Sequence, residues 1–320
     1  MNNVIIGIDI GGTNTEVGVI TPNGEIIKRD KMPTRKHGAD FNAYLADLVD
    51  LINSAIETCG NVKLAGIGIG APNGNYLHGT IEQAPNLEWK EVVPVCRLMS
   101  DYFPNIPIEL TNDANAAAMG EMLFGAAKGY KDFITITLGT GVGSGIVCNG
   151  QLVYGHDGFA GEIGHTTVYP NGRLCGCGRY GCIEAYLSAS GLAKTAAELM
   201  VKYRTPSILG DIPFNKITSK DIYDAAKSGD WLAQEVFKIS GETMGLKLAD
   251  VVATTSPKAI FFTGGVAKAG DLLLKPMKES MEKYLLPIFQ NKVELLLSGL
   301  PGVDVALLGA AALVLEKIKC

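Results

Sequence analysis

The sequence predicts an α/β fold arranged as two lobes around a central cleft, and three observations carry that expectation. The chain has 320 residues, more than a single hydrophobic core usually serves. A unit of strand, Gly/Thr turn, strand, Asn-Gly turn and strand stands near its start and recurs in its middle. Each copy is followed by helices alternating with strands, as in a duplicated supersecondary plan.

The first copy opens on Val4–Ile10, an apolar run rich in β-branched residues that reads as a buried strand. It ends in Gly11-Gly12-Thr13-Asn14-Thr15. A second strand, Glu16–Ile20, leads through Thr21-Pro22-Asn23-Gly24 to a third, Glu25–Asp30. Asn-Gly suits a hairpin because both residues accept positive φ. Asp40–Thr58 carries Phe41, Leu45, Leu48, Ile52 and Ile56 at helical spacing. Lys63–Gly70 is a strand running into Ala71-Pro72-Asn73-Gly74. Pro107–Leu110 is another, running into Thr111-Asn112-Asp113 and an Ala/Met-rich helix over 114–124. Asn112 or Asp113 would cap that helix, and Asp113 stands at the C-terminal end of a strand, where functional residues of α/β sheets collect.

The second copy reads Phe133–Leu138, a turn over 139–145, Ile146–Cys148, Asn149-Gly150 and Gln151–Tyr154. Helices are expected at Ala189–Tyr203, Ser219–Ser228 and Trp231–Thr254. A strand follows at Lys258–Phe262, ending in Thr263-Gly264-Gly265-Val266, and the last helix is expected at Ala306–Ile318. The implied division is a small first lobe over 1–112, joined by a closing helix over 304–320, and a large lobe over 113–303.

Composition narrows the class. With 47% hydrophobic and 19% charged residues the chain reads as a soluble globular protein. A net charge of −5 weighs against a nucleic-acid partner. No apolar run approaches the ~20 residues that span a bilayer, and the N-terminus lacks the basic and small-residue features of a secretory leader. The expected compartment is the cytoplasm, with no membrane partner. Seven cysteines, four of them scattered (Cys59, Cys96, Cys148 and Cys320), do not form a disulfide framework.

Four groups of residues carry chemistry. Gly11-Gly12-Thr13 and Gly139-Thr140-Gly141 can offer backbone N–H groups and a hydroxyl to phosphate oxygens, the glycines permitting close approach; singly, each reads as a tight hairpin. Thr263-Gly264-Gly265 would let a nucleoside base lie against backbone. Neither a P-loop nor a Rossmann glycine fingerprint is present. Asp9 ends a buried strand, where a carboxylate is out of place unless it faces a cation, Mg²⁺ with phosphate being the natural one; its alternative is turn capping. Asp113 is the candidate general base for an alcohol attacking a γ-phosphoryl group, against a plain helix cap. Finally, His165, Cys175, Cys177 and Cys182 supply one imidazole and three thiols, a complete set for closed tetrahedral zinc. Glu162 and Glu184 flank that set; the alternative is a reduced loop without metal.

Taken together these residues resemble the ROK-family sugar kinases of the actin-like ATPase superfamily, over essentially the whole chain. Asp9-Ile10-Gly11-Gly12-Thr13-Asn14-Thr15 is similar to that family's first phosphate loop, and Leu138-Gly139-Thr140-Gly141-Val142-Gly143 to its second. Asn112-Asp113-Ala114-Asn115-Ala116 resembles the catalytic segment, with Asp113 at the general base. Gly161-Glu162-Ile163-Gly164-His165 followed by Cys175-Gly-Cys177 and Cys182-x-Glu184 resembles the zinc signature. The resemblance implies two actin-like (ribonuclease H-like) lobes with a structural zinc loop. It implies sugar contacts from Asn86, Asn112, Asp113, Glu162, His165 and Glu184, and adenosine contacts from Gly264 and Gly265. It also implies ATP, Mg²⁺ and Zn²⁺ as cofactors, a hexose substrate with transfer to O6 of glucose expected, and a homodimer or dimer of dimers. N-acetylmannosamine, N-acetylglucosamine and fructose are the alternative acceptors. A sugar-sensing repressor of the same family would need a helix-turn-helix ahead of Val4. One departure is visible: Pro72-Asn73-Gly74 stands where the family often has Pro-Gly, implying a differently shaped sugar loop.

Overall fold

The computed structural model of the chain describes residues 2–302 and 304–318. In order, the elements are β1 (Asn2–Ile10), β2 (Asn14–Ile20), β3 (Ile26–Pro33), α1 (Phe41–Thr58), β4 (Val62–Gly70), the short strands β5 (Gly74–Asn75), β6 (Thr80–Glu82) and β7 (Val92–Val93), α2 (Val95–Ser100), β8 (Ile108–Thr111) and α3 (Asp113–Leu123). There follow β9 (Phe133–Leu138), β10 (Val142–Cys148), β11 (Gln151–Leu152), α4 (Glu184–Leu187), α5 (Ala189–Tyr203), α6 (Ser219–Lys227), α7 (Trp231–Thr255), β12 (Ala259–Thr263), α8 (Asp271–Tyr284), β13 (Glu294–Leu297) and α9 (Val305–Ile318).

The duplicated plan is visible in the sheets. One has the order β3-β2-β1-β4-β8 and the other β11-β10-β9-β12-β13. In the first, β1, β2 and β3 pair antiparallel while β4 and β8 add in parallel. In the second, β10 and β11 form the antiparallel hairpin, and β12 lies parallel to both β9 and β13. A third sheet, β5-β6-β7, is made of strands of two or three residues.

By chain packing the molecule divides into two compact units. The first takes the segments up to Tyr130, Gly145–Gly161 and from Ser298 on, and the second Lys131–Ser144 and Glu162–Leu297. This differs from a boundary at 112/113, because α3 packs tightly on α9 and so belongs to the first unit. Of the closing helix expected over 304–320, Val305–Ile318 is helical, and residues 319 and 320 lie outside the described residues.

In the first unit, one face of the sheet buries Ile6, Ile8, Val17 and Ile67 with Tyr44, Leu45, Leu48 and Ile52 of α1. The opposite face carries Ile5 and Ile20, packed on α9, and otherwise largely glycines, so that α9 lies close against it. A Cβ at Gly68 would stand 1.7 Å from the Ala310 carbonyl oxygen, and one at Gly7 2.3 Å from that of Leu307. The helix answers in kind: a Cβ on its Gly309 would stand 2.3 Å from the Ala116 carbonyl oxygen of α3. Backbone therefore meets backbone, which leaves no room to relax around an added side chain. In the second unit, α7 approaches α8 by the same means, with Gly245 against the Met277 carbonyl.

Gly68→Val is expected to cost more than about 3 kcal/mol of first-unit stability, since overpacking here displaces backbone. Gly210→Ala, where an added Cβ meets nothing within 4 Å, should stay within about 0.5 kcal/mol of wild type. Urea unfolding followed through Trp89 fluorescence in a Trp231→Phe background measures the first, and through Trp231 fluorescence in a Trp89→Phe background the second.

Candidate active site and metal centre

The candidate residues fall into two sets, one in each unit. The first centres on the end of β1, where Asp9 pairs in register with Glu16 of β2 and Gly70 of β4. Burial pushes its carboxyl up to about 7, and the nearby charges of Asp113 and Glu16 add to the effect. Acidic groups crowded at a buried strand end favour a cation among them. The turn that follows is held from outside. The Gly11 N–H donates to the Asn14 carbonyl at 3.0 Å, and the Thr34 hydroxyl donates to the Gly11 carbonyl at 2.7 Å. The Thr34 N–H donates to the Thr13 carbonyl at 2.9 Å, and Arg35 Nε to that of Gly12 at 2.8 Å. Buried Thr15 sits beneath, its hydroxyl 2.9 Å from that of Thr34 and 2.8 Å from that of Tyr44.

Asn112 and Asp113 divide two tasks. Asn112, with extended backbone, caps α3: its side-chain oxygen accepts from the Asn115 N–H at 2.7 Å. Asp113 is the first helical residue, its carboxylate open to solvent and accepting from the Ala114 N–H at 2.8 Å. Crowding by surrounding protein raises its proton affinity, and the bond from Ala114 offsets part of that rise. The plain-cap reading thus belongs to Asn112, and Asp113 retains a carboxylate with elevated basicity.

Asn86 lies on an exposed loop pressed against the turn, where a Cβ on Gly12 would stand 2.9 Å from the Asn86 carbonyl oxygen. In the Pro72-Asn73-Gly74 segment, Asn73 takes φ 50° and its side-chain amide donates to the Glu82 carbonyl at 3.0 Å. Asparagine here adopts the left-handed conformation that glycine usually supplies. Gly74 itself would bring a Cβ within 2.4 Å of the Thr111 carbonyl oxygen.

In the second unit, Gly139 closes the second turn by donating to the Gly141 carbonyl at 3.0 Å, and the Gly143 N–H donates to the Thr137 hydroxyl at 3.1 Å. Thr140 is exposed at the turn tip. Gly264, at φ 95°, packs on β9 so closely that a Cβ would fall 2.4 Å from the Leu138 carbonyl oxygen. Gly139 and Gly265 face open space instead, with nothing within 4 Å of an added Cβ. Glu184 joins this turn to the cysteine loop: one carboxylate oxygen accepts from the Val142 N–H at 3.0 Å, the other from the Cys175 thiol at 3.4 Å. Glu162 precedes the short 3-10 turn Ile163–His165, and the Ile163 N–H donates to the Ser144 hydroxyl at 3.3 Å.

His165, Cys175, Cys177 and Cys182 converge, with their ligand atoms all within 4.8 Å of one another. Cys175 Sγ is 3.7 Å from His165 Nδ1, and Cys177 Sγ is 3.7 Å from Cys182 Sγ. Zinc–ligand bonds of tetrahedral sites imply edges of about 3.6–3.8 Å, so donor set and spacing both fit that ion. The loop is shaped around them by Gly178 at φ 86° and by Gly181, where a Cβ would fall 1.6 Å from the Tyr169 carbonyl oxygen. Arg173 ties the loop to α5. Its guanidinium donates to Glu198 at 2.9 and 2.6 Å, to the Ala185 and Gly191 carbonyls at 3.1 Å and to the Thr195 hydroxyl at 3.0 Å. It also stacks over Tyr186. Thr34, Arg35, Tyr44 and Arg173 escape a motif reading, because each acts on a neighbour distant in sequence. Among the described residues no helix is long and apolar enough to cross a membrane.

Two sheets of the same order, glycine turns at equivalent strand ends, and a carboxylate at a strand-to-helix junction define a duplicated α/β protein. The family model described as "ROK family" matches residues 5–317, and the chain belongs to that family. A glucokinase from Halalkalibacterium halodurans is 37% identical over 317 residues, covering 98% of this chain and 95% of that protein. The crystal structure of a ROK family glucokinase from Streptomyces griseus in complex with glucose and AMPPNP is 34% identical, with a TM-score of 0.79 over 97% of this chain and 98% of that one. The family is not uniform in role: a xylose repressor of Caldicellulosiruptor bescii is 30% identical over 91% of this chain and 73% of its own length.

A folded-state carboxyl at about 7, against 3.8 for an ordinary one, keeps a proton that the unfolded chain has released. The ligand-free protein should therefore lose stability through Asp9 as pH rises from about 4 to about 7, and the full penalty stands above that window. Asp9→Asn should be more stable than wild type at pH 8, by about 2–4 kcal/mol. The two should converge near pH 4. Denaturant unfolding of both proteins across that range measures the difference.

Proposed function

We propose that this chain is an ATP-dependent hexose kinase, transferring the γ-phosphoryl group of ATP to O6 of a hexose, with glucose the preferred acceptor. The observation that carries this reading is the division at α3: Asn112 satisfies the helix end, and Asp113 keeps a solvent-open carboxylate of raised proton affinity. A base of that kind suits removal of a hydroxyl proton near neutral pH. The glucokinases among its relatives, and the bound glucose and AMPPNP in one of them, support the choice of substrates.

In this reading Asp113 orients the hexose hydroxyl and takes its proton as the oxygen attacks phosphorus. The amides of Gly12, Thr13, Thr140 and Gly141 hold phosphate oxygens, while Gly11 and Gly139 shape the two turns through their own internal N–H bonds and Thr15 buttresses the first. Gly264 and Gly265 leave backbone exposed to the adenosine. Asp9 holds Mg²⁺, which when bound neutralises charge on the phosphates. Asn86, Asn112, Glu162, His165 and Glu184 exchange hydrogen bonds with the sugar hydroxyls. His165 presents Nδ1 to the thiols, which leaves Nε2 for the sugar. His165, Cys175, Cys177 and Cys182 would hold Zn²⁺, which would serve as a brace, since one imidazole and three thiolates make a complete ligand set. A cytoplasmic homodimer or dimer of dimers, without nucleic-acid or membrane partners, completes the reading.

Asp113→Asn should abolish phosphoryl transfer, lowering kcat by at least about a thousandfold, while glucose binding by calorimetry persists. Turnover near wild type would remove Asp113 from its role. A coupled ADP-release assay across glucose, fructose, mannose and the N-acetylhexosamines, compared by kcat/KM, tests the acceptor, and glucose should rank first. Metal analysis of the purified protein should return one zinc per chain. Cys177→Ser should lower both the zinc content and the melting temperature.

A further inference from the structure

The exposed loop carrying Asn86 has no secondary structure of its own across 84–87, yet its backbone is held by two cations. Lys90 Nζ donates to the carbonyls of Ala84 at 3.4 Å, Pro85 at 3.3 Å and Leu87 at 2.6 Å. The carbonyl it omits, that of Asn86, accepts from Arg35 Nη2 at 3.3 Å. Four consecutive carbonyls are thus turned towards positive side chains. An ammonium has three donors, and here three carbonyls curl around one. Arg35 does more than fill the gap. Its Nε donates to the Gly12 carbonyl at 2.8 Å and also lies 3.6 Å from a Glu88 carboxylate oxygen. One planar guanidinium therefore spans the phosphate turn and the Asn86 loop, which also touch directly at Gly12.

We propose that Lys90 and Arg35 are positioning residues for hexose phosphorylation: Lys90 sets the shape of the sugar loop, and Arg35 locks that loop to the first phosphate turn. Hexose and nucleotide binding are then coupled through Gly12, Arg35 and Asn86. The proposal rests on the kinase reading above, which places Asn86 at the sugar and Gly12 at the phosphates. Neither cation touches a reactant. Lys90 acts only through the loop, so its effect falls on the hexose alone. Arg35 holds both loops, so its effect falls on both ligands and on the coupling between them, which is reciprocal by linkage. Lysine cannot replace Arg35, because a single ammonium cannot reach two carbonyls in the fixed directions of a fork.

The test uses the full-length zinc-loaded protein. Lys90→Met should raise the KM for glucose at least about tenfold, with the KM for ATP unchanged and kcat within about threefold of wild type. In an Asn86→Ala background the same substitution should raise it no further, because the two residues act in series; a role in general stability would add. For Arg35, calorimetry gives the glucose Kd with and without saturating AMPPNP and Mg²⁺. The analogue should tighten glucose several-fold in wild type, and not at all in Arg35→Gln or Arg35→Lys. A glucose KM within twofold of wild type in Lys90→Met, additive effects with Asn86→Ala, or a wild-type coupling factor retained in both Arg35 variants would overturn the proposal. Should Arg35→Gln misfold, Arg35→Lys alone decides the coupling. A wild-type protein that binds both ligands but does not phosphorylate would remove the kinase reading while leaving the coupling to be judged by calorimetry.

Discussion

A helix must begin somewhere, and its first amides need acceptors that the helix itself does not provide. At α3 one side-chain oxygen, that of Asn112, meets this need at 2.7 Å. The helix starts there, at the end of β8, and so the next residue, Asp113, is delivered to the same end of the sheet as Asp9. Without a capping residue at 112, the carboxylate at 113 would be drawn into the same task. The raised proton affinity of Asp9 comes from burial, to which the charge of Asp113 adds, whereas that of Asp113 comes from the protein crowded around a carboxylate that solvent still reaches.

The loops around these residues gain their form from far-off side chains. The first turn is short of apolar contacts, and it takes its rigidity from hydroxyls and a guanidinium on Thr34, Thr15, Tyr44 and Arg35. The cysteine loop is held in the same manner by Arg173, which spends five donor contacts on the far side of its turn. Polar fastening of this kind suits segments that must leave one backbone face clear for a ligand, because a hydrophobic cluster would fill that space with side chains.

How far the sequence discloses this architecture depends on the range of the interaction. The repeat, the glycine turns and the main strands are legible because they are local patterns, and the sheets have the order that the repeat implies. The zinc set is legible because three of its four ligands lie within eight positions of one another. Asn112 and Asp113 could be placed at a helix start, but which of them caps it is a matter of backbone angles. The strands β5, β6 and β7 are too short to show a period, and α8 is disguised by Pro276 in its interior. The boundary at 112/113 follows sequence order, whereas α3 belongs to the first unit because of a contact with α9 that no local pattern announces. Lys90 and Arg35 read as ordinary solvated charges until the carbonyls around them are in view.

The glycine-lined face that receives α9 bears on how the protein is made. That helix leaves the ribosome after every strand of both sheets, so the face of β1 and β4 that it covers stays bare throughout synthesis of the preceding chain. The second unit, confined to residues between 131 and 297, has all its parts in hand before the first unit does. Vectorial folding would therefore finish the later segment first, and the N-terminal segment, though earliest made, would wait longest for its core. With glycines through much of it, that face offers few apolar side chains to misplaced partners, which gives that wait a measure of protection.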